Sequence, residues 1–356
     1  MKNIHLHPCG NYHEFYAQEQ TVFTTDFGRI WATIGFISLL TVVPWLANPY
    51  LLYVVNTVGI AAIAAIGLNI LIGFTGQISL GHGAFFGVGA YTAAILMTRF
   101  NLDMVVALPA AGLMTAMVGM IFSIPSGRLK GLYLTIATLA GQFIIEYLLT
   151  HWDSLTKGTM GITLPQTKIV TVTLKGDLGF FYLIFLTLAL MVWIAINVMR
   201  TRFGRSFIAV RDNDRAAEGM GIPIFRYKLL SFGISSFYAG LAGALWACYM
   251  GSITAEPFNL GLSVEYIAMV IIGGLGSIAG SIYGAVFITL LNEALRFMTD
   301  MLMNSGFVSQ SGLNMAPLRE FVFGLAIVLF ILIEPRGLAE IWRIVRSSFR
   351  LWPFSY

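Results

Sequence analysis

The chain has 356 residues, 57% of them hydrophobic and only 11% charged, against roughly 45–50% and 25% in soluble domains. A soluble architecture is excluded, because the run from Ile30 to Thr98 contains no Asp, Glu, Lys or Arg and a single bilayer crossing takes only about 20 residues. The formal charge of +4 does not indicate nucleic acid as a partner, since the basic residues stand between apolar runs and form no phosphate-reading surface.

The stretch before Ile30 is polar and carries Glu14, Glu19 and Asp26, so no cleavable leader is expected and the first membrane helix stays attached. Helix-length uncharged runs, broken at glycine and proline clusters, then predict ten spans near 30–48, 50–73, 80–98, 104–122, 131–150, 180–199, 227–250, 263–275, 281–298 and 318–334. The eighth is short. The expected fold class is all-α, a polytopic transmembrane helical bundle. Its membrane domain covers 30–334, flanked by a cytoplasmic N-terminal segment, 1–29, and a cytoplasmic tail, 335–356.

With ten spans, 15 of the 21 basic residues fall on one side, including Arg128, Lys130, the cluster from Arg200 to Lys228, and Arg336 to Arg350. Positive residues are retained in cytoplasmic loops, which predicts both termini in the cytoplasm. An odd span count would separate the basic tail from the basic 200–228 loop. Two segments outside the membrane then stand out, an external loop at 151–177 and a cytoplasmic loop at 200–228.

Gly73, Gly76, Gly81, Gly83, Gly87 and Gly89 crowd one short segment. Glycine costs about 1 kcal/mol against alanine in a helix, and backbone freed in hydrocarbon must be covered by protein or water. Two readings account for the cluster. One is a broken helix lining a pathway, with Asn69, Gln77, Ser79 and His82 as its polar groups. The other is close helix packing through small residues such as Gly83 and Gly87. A second cluster, Gly273, Gly274, Gly276, Gly280 and Gly284, lies in the C-terminal half and adds Gly276 to the candidate pathway. Paired interruptions in oppositely running halves are a mark of inverted repeats in transporters.

Between Arg205 and Pro223 charge is mixed with an apolar stripe of Phe207, Val210, Ala217 and Met220, which predicts short amphipathic helices outside the membrane. Asp212 or Asn213 is placed to cap the second of them. A solvated basic loop near anionic lipid is the plainer alternative.

Ionisable residues within the spans are Glu146, Glu265 and Glu293, all toward span ends, with Arg296 three residues beyond Glu293. A mid-bilayer carboxylate costs about 2.5–3.5 kcal/mol on insertion scales, and no deep one marks a proton-coupled carrier. The chain contains no Gly-x-x-x-x-Gly-Lys-Ser/Thr loop, no His-Glu-x-x-His helix and no Gly-x-Ser-x-Gly turn. Cys9 and Cys248 supply neither metal spacing nor a disulfide framework. No catalytic residue, cofactor or metal is expected in this polypeptide.

Gly67-Leu-Asn-Ile-Leu-Ile-Gly-Phe-Thr-Gly-Gln-Ile-Ser-Leu-Gly-His-Gly-Ala-Phe-Phe-Gly-Val-Gly-Ala-Tyr91 resembles the signature of branched-chain amino acid ABC transporter permeases of the LivM type. Gly131 to Ala140, Phe203-Gly-Arg-Ser206 with Arg211-Asp-Asn213, and Ile272-Gly-Gly-Leu-Gly-Ser277 are similar to further blocks in the same order, from about residue 50 to 335. The resemblance implies an importer subunit in a bacterial inner membrane, paired with a second homologous permease. It also implies two cytoplasmic ATP-binding subunits, which carry the ATP and Mg, and an extracytoplasmic solute-binding protein that delivers leucine, isoleucine or valine.

In that arrangement Arg205, Arg211, Asp212, Asn213, Arg215, Ala216, Ala217 and Gly221 belong to the loop that docks on an ATPase. Arg215 stands where the family pattern Glu-Ala-Ala-x-x-x-Gly has Glu, and in Thr156-Lys-Gly-Thr-Met-Gly161 the residue Lys157 stands where the family has Gly. A urea or short-amide importer permease is the rival within the class, and a stand-alone channel or ion-coupled carrier the rival outside it.

Overall fold

The computed structural model describes residues 48–124, 131–165, 168–169, 172–173, 176–304, 316–334 and 337–351, with scattered positions between 30 and 45. Its helices are α1 (Pro49–Asn69), prolonged by a π turn (Ile70–Phe74), α2 (His82–Arg99), α3 (Met104–Ser123), α4 (Leu132–His151), α5 (Gly176–Arg200), α6 (Arg202–Asp212), α7 (Asp214–Gly219), α8 (Ile224–Met250), α9 (Leu260–Gly273), α10 (Ile278–Asn304), α11 (Ala316–Ile333) and α12 (Leu338–Leu351). Strand pairing among the described residues is limited to two-residue pieces. Ile162–Thr163 lies antiparallel to Ser252–Ile253, and Lys168–Ile169 to Val172–Thr173.

Six helices, at Pro49–Phe74, Met104–Ser123, Leu132–His151, Gly176–Arg200, Ile224–Met250 and Ile278–Met301, are long and apolar enough to cross a bilayer. With α2, α9 and α11 they occupy the places of nine of the ten expected spans. The expected span at 30–48 falls mainly outside the described residues. Boundaries differ by three residues or more at five ends: α5 begins at Gly176, α8 begins at Ile224, α9 begins at Leu260, and α10 runs from Ile278 to Asn304. Pro223 explains the second difference. A proline N-cap starts α8 directly after the short helix pair.

Burial separates inner from outer helices. The apolar windows of α1 and α8 are 78% and 72% buried, those of α3, α4, α5 and α10 only 33–39%. Composition is the cause, because lipid tails give helices no hydrophobic reason to associate and close approach depends on small side chains. Gly59, Ala61, Ala62, Ala64, Ala65 and Gly67 line α1, and Gly233, Ala239, Gly240, Ala242, Gly243 and Ala244 line α8. Where α2 crosses α8 the backbones touch: a Cβ on Gly89 would stand 2.1 Å from the Gly240 carbonyl oxygen, and one on Gly243 1.9 Å from that of Phe86. The outer helices present Leu113, Ile121, Ile136, Phe143, Tyr147, Leu186 and Trp193, all exposed, as a lipid-facing surface requires.

The bundle has two distinct ends. α6, α7 and α12 share one, fixed there by Arg211 against Gly73 and by Gly337 against Gly274. Arg99, Lys157 and the strand pair 162–163/252–253 share the other, where the Arg99 guanidinium donates to the carbonyls of Ser154 and Leu155.

Candidate functional site

The first glycine cluster is a true interruption. α1 widens into the π turn at 70–74, residues 75–81 leave helical geometry, and α2 restarts at His82. Gly76, at φ +73°, occupies the left-handed region that admits glycine freely. Backbone groups released by the break must be satisfied within the bundle or by water, and several find partners in the bundle. Gly76 N–H and Gln77 N–H donate to Ile72 O and Leu71 O at 3.0 and 3.1 Å. Leu80 N–H donates to Thr138 Oγ1 at 3.0 Å, Gly83 N–H to Ser263 Oγ at 2.8 Å and Ala84 N–H to Gln142 Oε1 at 2.8 Å. Gln142 Nε2 donates to Phe258 O at 2.8 Å, which fastens α4 to the turn before α9. Thr138, which lies in the 131–140 block, Gln142 and Ser263 are not among the site residues expected from sequence. With Thr135, the first two are the polar side chains of the uncharged run at 131–145, which was the available signal.

The second interruption, at 274–277 between α9 and α10, meets the first at the same end of the bundle. Asn69 joins them. Its Oδ1 accepts from Gly276 N–H at 2.9 Å, and its Nδ2 faces Ser281 Oγ at 2.7 Å, Ser277 O at 2.8 Å and Gly274 O at 3.3 Å. Gly276 has φ +76°, and a Cβ on Gly73 would fall 2.3 Å from Gly276 N.

Below this junction lie the amphipathic helices. Thr201 caps α6 by accepting from Phe203 N–H, and Asn213 Oδ1 caps α7 by accepting from Arg215 N–H and Ala216 N–H at 3.1 and 3.2 Å. Asp212 closes α6 and pairs with Arg211 at 3.0 Å. Phe207, Val210 and Ala217 are buried as expected of the stripe, but Met220 is 82% exposed. The chain leaves the helix there, with Gly221 at φ +81°. Lys228 of α8 is buried and bound to Asp214 at 3.2 Å, which holds α7 against the membrane domain. Arg205, Arg211, Asp212, Asn213, Arg215, Ala216 and Gly221 remain on the exposed side.

Arg211 links the two levels. Its Nη1 donates to Gly73 O at 2.9 Å, its Cγ would be 3.0 Å from a Cβ on Gly76, and the same Nη1 would be 3.4 Å from one on Gly276. The structure therefore assembles Asn69, Gly276 and Arg211 at the crossing of both breaks. Gln77 lies beside them, its Nε2 donating to Ser231 Oγ at 2.8 Å, and its buried Oε1 has no partner among the described residues. It borders a polar cavity of about 390 Å³ shared with Arg211, Asn213, Asp214, Arg215 and Lys228.

Ser79 and His82 sit apart from that junction. Ser79 Oγ accepts from Gly81 N–H at 3.3 Å, and the His82 ring bonds the Ala64 carbonyl at 3.0 Å with Tyr266 edge-on at 5.5 Å. Both are about 1% exposed. In this conformation they fill packed interior, while Gly83 and Gly87 bring α2 against Ser263 and Phe258. Among the described residues no group of three His, Cys, Asp or Glu side chains is arranged to hold a metal.

Comparison with known proteins places these features in a family. The family described as "Branched-chain amino acid transport system / permease component" matches residues 50–331. The high-affinity branched-chain amino acid transport system permease protein LivM of Escherichia coli (strain K12) is 33% identical over 270 residues, covering 68% of this chain and 64% of LivM. The match thus spans slightly under two thirds of that relative. A probable branched-chain amino acid transport permease protein LivH of Methanocaldococcus jannaschii is 27% identical over 257 residues, 68% of this chain and 79% of LivH. The autoinducer 2 import system permease protein LsrC of Shigella flexneri is 25% identical over 260 residues, 70% of this chain and 73% of LsrC. No solved structure matches.

Proposed function

The chain belongs to the family of permease components of branched-chain amino acid transport systems, and from that premise we propose that it is one membrane subunit of an ATP-driven importer of leucine, isoleucine and valine in a bacterial inner membrane. A second homologous permease completes the pathway. A solute-binding protein delivers the amino acid at the end carrying Arg99 and Lys157, and two ATP-binding subunits hold ATP and Mg at the end carrying α6 and α7. Both termini then lie in the cytoplasm.

The observation that carries this reading is the hydrogen bond from Arg211 to the Gly73 carbonyl. ATPases closing on nucleotide act on α6 and α7 as a unit, because Asn213 caps α7 and Asp214–Lys228 ties it to α8. A shift of that unit moves the guanidinium that holds the end of α1, and Asn69 carries the displacement to the second break. Coupling of this kind requires contacts that differ between two states. A hydrogen bond to a charged donor contributes about 1.5–3 kcal/mol, reduced here because the Arg211 side chain is 38% exposed. The bond is thus weak enough to be exchanged in each cycle. Gly73 and Gly76 leave it the necessary space.

The test uses proteoliposomes holding this chain, the second permease, both ATPases and the binding protein. Arg211→Ala is expected to leave the complex assembled and hydrolysing ATP while leucine uptake per ATP falls severalfold. Uptake per ATP equal to that of the native transporter refutes the coupling role. Failure of the native complex to import leucine, with import of urea or another solute instead, refutes the substrate assignment.

A further inference from the structure

At the end of the bundle opposite α6 and α7 a cavity of about 330 Å³ opens between α1, α2, α8, α9 and α10, near the lower bound of sites that enclose one small molecule. Its deep wall is aromatic and aliphatic. Phe86, Trp246 and Phe258 hold one another edge-on or tilted at centroid distances of 5.6–6.1 Å, with Ile60, Leu262 and Met269 around them. Its mouth is ionic. Glu265 of α9 accepts from Asn292 Nδ2 at 2.7 Å across the gap to α10, and Glu293 accepts from Tyr50 Oη at 2.8 Å and from Arg296 Nη1 at 3.4 Å.

Charged residues within spans are costly and mark solute paths or tight pairs. The Glu293–Arg296 contact is long, and the Arg296 side chain is 55% exposed against 17% for Glu293. A guanidinium has five N–H donors, so its one long side-chain bond among the described residues leaves Arg296 able to receive an anion. The cavity therefore combines two carboxylates, one guanidinium and an apolar floor within the reach of one small zwitterion.

We infer that this cavity is a transit subsite for a zwitterionic amino acid with an apolar side chain. The ammonium group lies toward Glu265 and Glu293, the carboxylate toward Arg296, and the side chain against Phe86, Trp246 and Phe258. The inference rests on the importer reading and adds the place and polarity of substrate passage.

The test uses the complete transporter in proteoliposomes with Cys9 replaced by serine and Thr57, a half-buried residue of the cavity wall, replaced by cysteine. Cys248 is buried in α8 and stays. Modification by a cationic methanethiosulfonate is expected to lower leucine uptake at least tenfold while ATP hydrolysis stimulated by the binding protein continues. Leucine-loaded binding protein with ATP is expected to slow the modification. Full uptake after complete modification overturns the subsite and leaves the importer reading intact, whereas absence of ATP-dependent leucine uptake before modification overturns the importer reading. Glu265→Gln, assembled at native yield, is expected to lower leucine uptake per ATP at saturating binding protein, and native uptake by that variant overturns the assignment of its carboxylate.

Discussion

Two fully buried asparagines thirteen positions apart on α1 provide a direct measure of the junction between the breaks. Removing the Asn69 amide by Asn69→Ala leaves the half-buried Gly276 N–H without its acceptor, whereas Ser277 O retains Ser281 Oγ at 3.3 Å and Gly274 O retains Ser277 N–H at 3.3 Å. One orphaned buried donor costs about 1–3 kcal/mol, with the lower half of that range applying to the half-buried Gly276 N–H, and the lost bonds to Ser277 and Ser281 add about 1 kcal/mol, so the expected loss is about 2–3 kcal/mol. Asn56 differs. Its Nδ2 donates to Asp177 O at 3.1 Å and also faces the Tyr249 hydroxyl, which keeps Asp177 Oδ1 as a partner at 3.1 Å, and its Oδ1 is already unpartnered among the described residues. Asn56→Ala removes an unsatisfied oxygen together with a bond and is expected to cost about 1 kcal/mol or less. Thermal unfolding in detergent can be followed by the buried Cys248 thiol reacting with a fluorogenic maleimide, with Cys9 replaced. Asn69→Ala is expected to melt several degrees below Asn56→Ala. Equal melting temperatures for the two variants would refute the view that Asn69 is what holds the second break to the first.

Lys157 adopts φ +60°, a region costing about 1–2 kcal/mol for a residue with a Cβ. Lys157→Gly, less glycine's extra chain entropy of about 0.5–1 kcal/mol, is therefore expected to raise stability slightly, and a lowered melting temperature would contradict this. Gly89→Val drives a side chain into the Gly240 backbone, and overpacking of about 1–3 kcal/mol or more should reduce the yield of folded protein. Gly219→Ala in α7 meets nothing within 4 Å and should fold at native yield; the prediction fails if the two variants behave alike. Met220→Glu places a charge on the most exposed apolar side chain of the α6–α7 unit and is expected to weaken ATPase association, read by co-purification, without changing the melting temperature of the isolated chain.

The spans were legible because charge is excluded from hydrocarbon, a rule that acts residue by residue along the chain. The α6–α7 pair was legible for a similar reason, since the 3.6-residue stripe of Phe207, Val210 and Ala217 needs no knowledge of partners. Met220 broke the pattern because Gly221 turns the chain before its side chain returns to the buried face. The glycine breaks could be located but their fastenings could not. Asn69 meets Gly276 across 207 positions, Arg211 meets Gly73 across 138, and Gln142 meets Phe258 across 116. Sequence spacing carries no record of such contacts. The first glycine cluster both interrupts the helix, at 75–81, and packs it closely, at Gly83 and Gly87, so the break and the small-residue packing occur side by side. The ionic mouth was likewise hidden: Glu293 and Arg296 read as an ordinary (i, i+3) pair, and only the fold brings Glu265 of α9 across to Asn292 beside them.

α9 and α10 form a closely packed pair that runs from the glycine junction toward the cavity mouth. A Cβ on Gly284 would lie 1.8 Å from Met269 O and one on Gly273 2.0 Å from Gly280 O, so α9 and α10 touch along their backbones and cannot slide without separating. Both start or finish at the break held by Asn69. From there Glu265 is eight residues up α9 and Glu293 fifteen residues up α10, about 12 and 22 Å at 1.5 Å per residue. A tilt of this pair about the glycine junction therefore moves Glu265, Asn292, Glu293 and Arg296 together, while Phe86 and Trp246 stay with α2 and α8. The cavity mouth would open or close against Phe86 and Trp246, with Phe258, in the turn that leads into α9, following the pair. Arg211 touches that junction through Gly73 O, so on the proposed coupling a hydrogen bond at the α6–α7 end bears on the helices that carry the cavity mouth at the other end without contacting it.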